Sequence, residues 1–135
     1  MSFYNYIHWQ DYYREFWQPS YSKIIEIKDK DSPIENKEKC LKDFVTFFYT
    51  TCKLIKYYLE NNGLFFKNYK RSIMAAFNIG LIEDGDTWAE IFALITRDST
   101  KSSKMQEVLD FCLGDNFYIF NDLNNKFVKL LESYE

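Results

Sequence analysis

Apolar side chains recur every three or four residues along almost the whole chain, and this helical period limits its fold more than any other feature. The longest example lies between residues 41 and 59, where an apolar stripe stands opposite a row of lysines and threonines. Phe44, Phe47 and Leu54 widen that stripe beyond the width that one neighbouring helix covers. The excess predicts that a second copy of the chain covers part of this helix, in a homodimer. The stripe itself consists of Leu41, Val45, Phe48, Cys52, Ile55 and Leu59.

The few glycines and prolines divide the helical pattern into segments. Pro19 lies inside the first amphipathic segment and should kink or split that helix, because proline lacks the backbone donor and clashes with the preceding turn. The charged residues 28–36 are expected to form a loop. Gly63 and Gly80 are expected to end helices, and Asp86 is expected to cap the next one.

Each segment has one apolar face that we expect to be buried. The face of the first segment includes Phe16, and that of the third includes Ala76 and Phe77. No segment alternates with the period of a strand. We therefore predict an all-α fold in which residues 1–135 form one domain, an antiparallel four-helix up-and-down bundle with an additional short helix.

Aromatic residues make up 20% of the chain, which admits two interpretations. The rings could form a stacking surface for bases, or they could fill the core. Because most of them fall at core spacing, we assign them to the core. The net charge of −3 argues against a dedicated duplex-binding protein, which needs a broad basic face.

The three cysteines form no C-x-x-C pair. On one helix Cys40 and Cys52 would lie about 18 Å apart, which is too far for a disulfide, and Cys112 is left without a partner. Free thiols are typical of a reducing cytoplasm, and the N-terminus lacks the pattern of a signal peptide. No run approaches the roughly 18 apolar residues that span a membrane. We expect a cytoplasmic protein without a membrane span.

Most catalytic templates are missing from the sequence. It contains no phosphate-binding glycine loop, no H-E-x-x-H pair and no nucleophile elbow. The single histidine, His8, has no cysteine or carboxylate at metal-ligand spacing, and we expect it to be partly buried beside Trp9. Glu83, Asp84 and Asp86 could hold a cation, but three acids in a glycine turn are more typical of a solvated loop with a helix cap. No metal or cofactor is predicted.

The stretch R-D-S-T-K-S-S-K, residues 97–104, is the strongest candidate for a site. Arg97 falls near the edge of a buried helical stripe, where a guanidinium can hold a phosphate through two parallel hydrogen bonds. Lys101 and Lys104 strengthen the local positive field. The alternative is that Arg97 interacts with the helix dipole and the last free carbonyls. Three earlier cations would join the patch if their helix packs nearby: Lys67, Lys70 and Arg71.

The chain from residue 73 to residue 104 resembles the nucleotidyltransferase substrate-binding family. Its sequence there is I-M-A-A-F-N-I-G-L-I-E-D-G-D-T-W-A-E-I-F-A-L-I-T-R-D-S-T-K-S-S-K, and the block G-L-I-x-D-G-x-x-W is the most specific part. The helix D-F-V-T-F-F-Y-T-T-C-K-L-I-K-Y-Y-L, residues 43–59, is also similar to a helix of that family. The resemblance divides the domain into a divergent N-terminal helix and loop, residues 1–36, and a family-like core, residues 37–135.

This family is the HEPN-type helical subunit that accompanies minimal nucleotidyltransferases in prokaryotic two-component operons. The resemblance implies a four-helix core, a homodimer and a nucleotidyltransferase-domain partner, in a system of toxin–antitoxin type. In many members an Arg and a His separated by four residues line a cleft at the dimer interface and cleave RNA. A Tyr two residues after the His is nucleotidylated by the partner.

This chain departs from the family motif at its reactive positions. The Arg is kept as Arg97, but Asp98 replaces the following Asn, Ser102 stands at the His position and Lys104 stands at the Tyr position. A serine hydroxyl cannot exchange protons near neutral pH as an imidazole does, and lysine offers no phenol for modification. The motif therefore lacks its proton-transfer group.

Three functions follow, in order of preference. The first is a non-catalytic helical subunit that binds a minimal nucleotidyltransferase through a basic rim of Arg97, Lys101 and Lys104, with weak contact to RNA or a nucleotide. The second is a HEPN-type ribonuclease toxin in which another residue substitutes for the histidine. The third is an unrelated helical interaction protein, since a helical bundle alone says little about function.

Overall fold

The computed structural model describes residues 7–29, 37–97 and 105–134, and all secondary structure in these ranges is helical, which confirms the all-α class. The chain begins with α1 (Trp9–Tyr12), a π-helical turn (Tyr13–Trp17) and α2 (Gln18–Lys28). It continues with α3 (Lys37–Asn61), α4 (Tyr69–Asn78), α5 (Gly85–Arg97), α6 (Met105–Leu113) and α7 (Tyr118–Tyr134). None of these described helices is long and apolar enough to cross a membrane.

Helix α3 is the centre of the fold, and its own chain covers its wide apolar arc. Phe44, Phe47 and Leu54 are completely buried. The ring of Phe47 lies 5.8 Å from that of Trp17 on one side and 4.9 Å from that of Phe120 on the other. These three residues therefore give no support to a homodimer, because other parts of the same chain bury them.

The first amphipathic segment is interrupted at the predicted place, just ahead of Pro19. Proline has no backbone N–H to donate to the carbonyl four residues earlier, and the chain widens into the π-helical turn directly before it. This turn contains one more residue per hydrogen-bonded ring than an α-helix, so the inward position moves along the sequence. Trp17 is buried, whereas Phe16 is 57% exposed. The prediction that Phe16 faces the core is wrong for this reason.

Polar side chains fix the N-terminal segment to the rest of the bundle. The buried indole Nε1 of Trp17 donates to Thr51 Oγ1 at 2.9 Å. The hydroxyl of Tyr13 donates to Asn124 on α7. At the start of α1, Asn61 accepts from the backbone N–H of Trp9 at 2.9 Å and donates to the carbonyl of Ile7. This segment is therefore part of the core.

Two glycines end helices as predicted. Gly63 and Gly80 have φ angles of +83° and +81°, a conformation that a residue without Cβ adopts at low cost. In both cases the next residue donates its N–H back across the helix end, from Leu64 to Leu59 at 2.9 Å and from Leu81 to Ala76 at 2.9 Å. This is the Schellman pattern, and it turns the chain from α3 toward α4 and from α4 toward α5.

Replacing Thr51 with valine tests whether the N-terminal segment depends on the buried indole hydrogen bond. Valine keeps the shape of threonine but leaves Trp17 Nε1 without this acceptor, so we expect Thr51→Val to lower the free energy of unfolding by about 1–3 kcal/mol. Thr46→Val, on the exposed side of α3, is the matched control. Urea denaturation measures both, and equal effects of the two substitutions would contradict the prediction.

Candidate functional site

An open cleft of about 740 Å³ runs between α4 and α5. One end is basic, because Lys70 at the start of α4 and Arg97 at the end of α5 both line it. The other end is acidic and contains Glu83 and Asp86. The middle is mainly apolar, with its lining contributed by Ile73, Met74, Phe77, Ala89, Phe92 and Ala93. The cleft thus combines apolar surface with opposite charges at its two ends.

Arg97 lies where the sequence predicted, in the exposed last turn of α5. It also lines a second, smaller cleft of about 390 Å³ between α5 and α6, where Glu90 and Glu107 stand on the facing helices. Lys70 joins Arg97 in the larger cleft, as expected if α4 packs against α5. Arg97 stands at the C-terminus of α5, where a cation also interacts favourably with the helix dipole. Its position is therefore compatible with both interpretations, phosphate binding and helix capping.

The rest of the predicted stretch lies outside the described residues. This applies to Asp98, Lys101, Ser102 and Lys104, and to most of the predicted loop at residues 28–36. Arg97 is therefore the one residue of the motif whose surroundings are known, and the cleft is defined by the two helices before it.

The side chains on the apolar edge of the cleft could not be assigned from the sequence alone. Phe77 was predicted to face the core but is 49% exposed, and Met74 beside it is 59% exposed. Ala76 faces inward as predicted, and Ser72 is buried in place of Phe77, since small side chains allow α4 to approach α3 closely. One sequence signal could have located the cleft. Small residues recur at every fourth position of α5 and leave room beside it: Gly85, Ala89 and Ala93.

The acidic turn before α5 is a helix cap, but the capping residue is Asp84 and the prediction of Asp86 is wrong. Asp84 Oδ1 accepts from the backbone N–H of Thr87 at 3.1 Å, and Oδ2 accepts from the hydroxyl of Thr87 at 2.7 Å and from that of Tyr118. Asp86 is already inside the first turn of the helix, too late to accept from that N–H. The hydrogen bond from Tyr118, with those from Thr87, lowers the pKa of the Asp84 carboxyl from its ordinary value.

One further side chain, Lys126, ties the chain before α5 to α7. Lys126 Nζ donates to the carbonyl of Gly80 at 3.1 Å and lies 3.1 Å from a carboxylate oxygen of Glu83. Together with Tyr118 it holds the acidic end of the cleft against the last helix. In the part of the chain that the structure describes, no group of three or more His, Cys, Asp or Glu side chains could hold a metal ion.

The remaining candidates lie away from the cleft lining. His8 is exposed, contrary to its expected partial burial, and precedes α1. The three cysteines are free thiols, as predicted. Burial raises the pKa of Cys52 and that of Cys112 to about 12, so neither thiol is a nucleophile at neutral pH.

Neither a known family model nor a curated protein matches this chain.

The N-cap of α5 should make stability depend on pH. A carboxyl whose pKa is lowered in the folded state stabilises the protein above its unfolded pKa, near 3.8 for Asp84. That contribution is lost as pH falls through the lower folded pKa. Asp84→Asn keeps a capping oxygen but cannot titrate. We expect the stability advantage of the natural protein over this variant to shrink below about pH 3.8.

Unfolding in urea at pH values from about 5 to 2 measures this difference. Asp84→Ala removes the cap itself and should cost about 1 kcal/mol at neutral pH. A difference between the natural protein and Asp84→Asn that stays constant over the acid range would show that Asp84 is not held as a carboxylate in the folded state.

Proposed function

We propose that this protein is a non-catalytic helical subunit that binds a minimal nucleotidyltransferase, on an antiparallel four-helix core of the kind that the resemblance implies. The observation that carries the proposal is the α4–α5 cleft, whose open basic end joins Lys70 and Arg97. A surface of this kind suits an anionic group presented by a partner, since arginine and lysine bind phosphate and carboxylate without needing a buried site.

The groups that line the cleft favour binding over catalysis. Its described lining includes no imidazole and no thiol, and Ser102 stands in the sequence where the family has its histidine. An arginine alone steadies a phosphate but moves no proton at neutral pH. Without an acid or base beside it, such a group supplies affinity for the phosphate but no proton-transfer step.

The partner would meet the basic end of the cleft with its nucleotide-binding side. Phosphates of a bound nucleotide carry the negative charge that Lys70 and Arg97 attract, and two further cations, Lys101 and Lys104, follow Arg97 in the sequence. The system would be of the toxin–antitoxin type, in which this chain supplies recognition in the cytoplasm.

Charge reversal tests the partner-binding surface. We expect the double variant Lys70→Glu/Arg97→Glu to associate about tenfold more slowly with the nearest encoded nucleotidyltransferase, and to bind with less sensitivity to salt. The matched control is Arg71→Glu, which changes an exposed cation on α4 that does not line the cleft. Co-expression and pull-down, followed by association rates at two salt concentrations, measure the effect.

Absence of a complex at low salt, with both proteins folded, would refute the partner. A complex that forms equally well with the double variant would place the contact elsewhere on the chain. Ser102→Ala should leave association unchanged, because the serine hydroxyl carries no charge to attract the partner.

We further propose that the protein acts as a homodimer through the exposed edge of α4. Met74, Phe77 and Ile79 are 59%, 49% and 49% exposed, and neighbouring apolar side chains of this size commonly mark an interface. Phe77 lies about 10 Å along the helix from Lys70, so a dimer formed there leaves the basic end of the cleft open to the partner.

Light scattering tests the assembly. The natural chain of 16.4 kDa should scatter as a particle of twice that mass, and Met74→Glu should convert it to a monomer because a carboxylate would be buried without a partner charge. Val128→Glu, at a 38% exposed position of α7, is the control and should remain dimeric. A natural protein that is monomeric at micromolar concentration would refute the dimer.

A further inference from the structure

Five aromatic side chains meet on the outer side of α3, away from the cleft. We call this surface the tyrosine face, and it consists of Tyr12, Phe16, Tyr49, Tyr57 and Tyr69. Helix α1 and the π-helical turn supply the first two rings, α3 the next two and α4 the last. Both α1 and α4 pack against α3, and they bring their rings to it from two sides.

The rings of the tyrosine face touch one another in pairs. Tyr12 stacks on Phe16 with centroids 5.1 Å apart and meets the edge of Tyr57 at 5.0 Å. On the other side, Tyr49 and Tyr69 lie 6.1 Å apart. The four tyrosines are partly buried, whereas Phe16 is 57% exposed. Phe16 therefore has one face stacked on Tyr12 and much of its remaining surface in water.

The exposure of Phe16 results from the backbone. In a continuous α-helix the residue before Trp17 would not have to present a large ring to solvent, but the π-helical turn rotates Trp17 into the core and Phe16 outward. Turns of this type are frequent at functional sites. The exposed ring of Phe16, supported by Tyr12 behind it, offers a flat apolar surface on which a planar ligand can stack.

The stretch of the chain that supplies three of these rings, Tyr49, Tyr57 and Tyr69, is basic although the chain as a whole is acidic. Residues 49–71 contain five cations and a single acid, Glu60, which is a local net charge of +4 in a chain of net charge −3. Lys53 and Lys56 lie on the same face of α3 as Tyr49 and Tyr57, since they follow Tyr49 by four and seven residues. The carboxylates Asp11 and Glu15 are exposed on the N-terminal side. The positive edge is therefore the part of α3 at Lys53 and Lys56, one turn before Glu60 on the same face.

We propose that the tyrosine face binds single-stranded nucleic acid without sequence preference, with one base stacked on Phe16 and the phosphates of the strand along Lys53 and Lys56. Aromatic platforms beside a row of cations are the usual means of holding a single strand, because every base has a flat face and every nucleotide one negative charge. This inference is independent of the proposed nucleotidyltransferase partner, which uses the cleft on the other side of α4.

The phenols suit the same ligand. Burial raises the pKa of Tyr12 to about 12, and it also raises the pKa of Tyr69. Both hydroxyls are therefore neutral near pH 7 and add no negative charge where the phosphates would lie. A paired duplex would not fit as well, since its bases are already stacked and cannot reach Phe16.

Fluorescence anisotropy of the full chain with labelled oligo-uridine and oligo-thymidine, each longer than about 16 nucleotides, tests the proposal. We expect dissociation constants of about 1–100 µM at low salt, in the range of non-specific binding, and weaker binding to a duplex of equal length. Phe16→Ala should weaken binding about tenfold, whereas Phe16→Trp should retain it. The ribose and deoxyribose strands separate a preference for RNA from one for DNA.

Salt dependence isolates the role of the lysines. Lys53→Gln and Lys56→Gln should each lower the slope of log affinity against log salt by about 0.7, the value for one phosphate contact on a single strand. Lys129→Gln, an exposed cation on α7, and Phe65→Ala, which removes a ring that is 58% exposed, are the matched controls and should change nothing. Thermal melting verifies that each variant is folded.

Three results would overturn the proposal: no binding of either single strand at low salt, equal affinity for the duplex, or binding that Phe16→Ala leaves unchanged. A gel of the strand after incubation with the protein tests whether the strand is cleaved. We expect it to remain intact, because the tyrosine face has no group that takes up protons near neutral pH. A cleaved strand would overturn the purely binding role of this face.

Discussion

The wide apolar arc of α3 is the constraint on which the rest of the structure depends. An apolar surface wider than the stripe that one neighbouring helix covers must be covered from several directions. Here the N-terminal segment covers one side through Trp17, α7 covers another through Phe120, and α5 adds Trp88 and Phe92 near Phe48. One chain therefore covers the apolar arc of α3 by itself, without a second copy.

The N-terminal segment is therefore an integral part of the core. Trp9 packs against Phe127 at 5.2 Å, and Trp17 donates its indole hydrogen bond to Thr51 inside the core. The π-helical turn directs the Trp17 ring into the core, and this hydrogen bond satisfies its buried indole N–H there.

Much of the fold was predictable because helical period and glycine caps are local properties of the sequence. The buried stripe of α3 and the helix ends at Gly63 and Gly80 are confirmed. The errors occurred where a shift of one or two residues decides the outcome. Phe16 and Trp17 are adjacent, and only the π-helical turn selects between them. Asp84 and Asp86 are both plausible caps, and the hydroxyls of Thr87 and Tyr118 select the first.

The candidate site was predictable only in part, because which residues of α4 line the cleft depends on how α4 packs against α5. Arg97 was identified from the sequence, and Lys70 was expected to join it if α4 packed nearby, which it does. The exposed edge at Met74 and Phe77 was not foreseen, because the apolar pattern of a short helix does not reveal which side its neighbours leave open. The net charge of −3 also concealed a local feature, because it is a sum over the whole chain and residues 49–71 are basic.

Helix α4 connects the two surfaces that the chain presents. Tyr69 belongs to the tyrosine face and the next residue, Lys70, lines the cleft. A helix with its side chains is about 10–12 Å across, which is comparable to the Debye length of about 8 Å at physiological ionic strength. Phosphates bound on the tyrosine face would partly neutralise the field at Lys70. A bound single strand would then weaken the binding of a nucleotide-bearing partner, and the partner would weaken that of the strand, although the two occupy different sides of one helix.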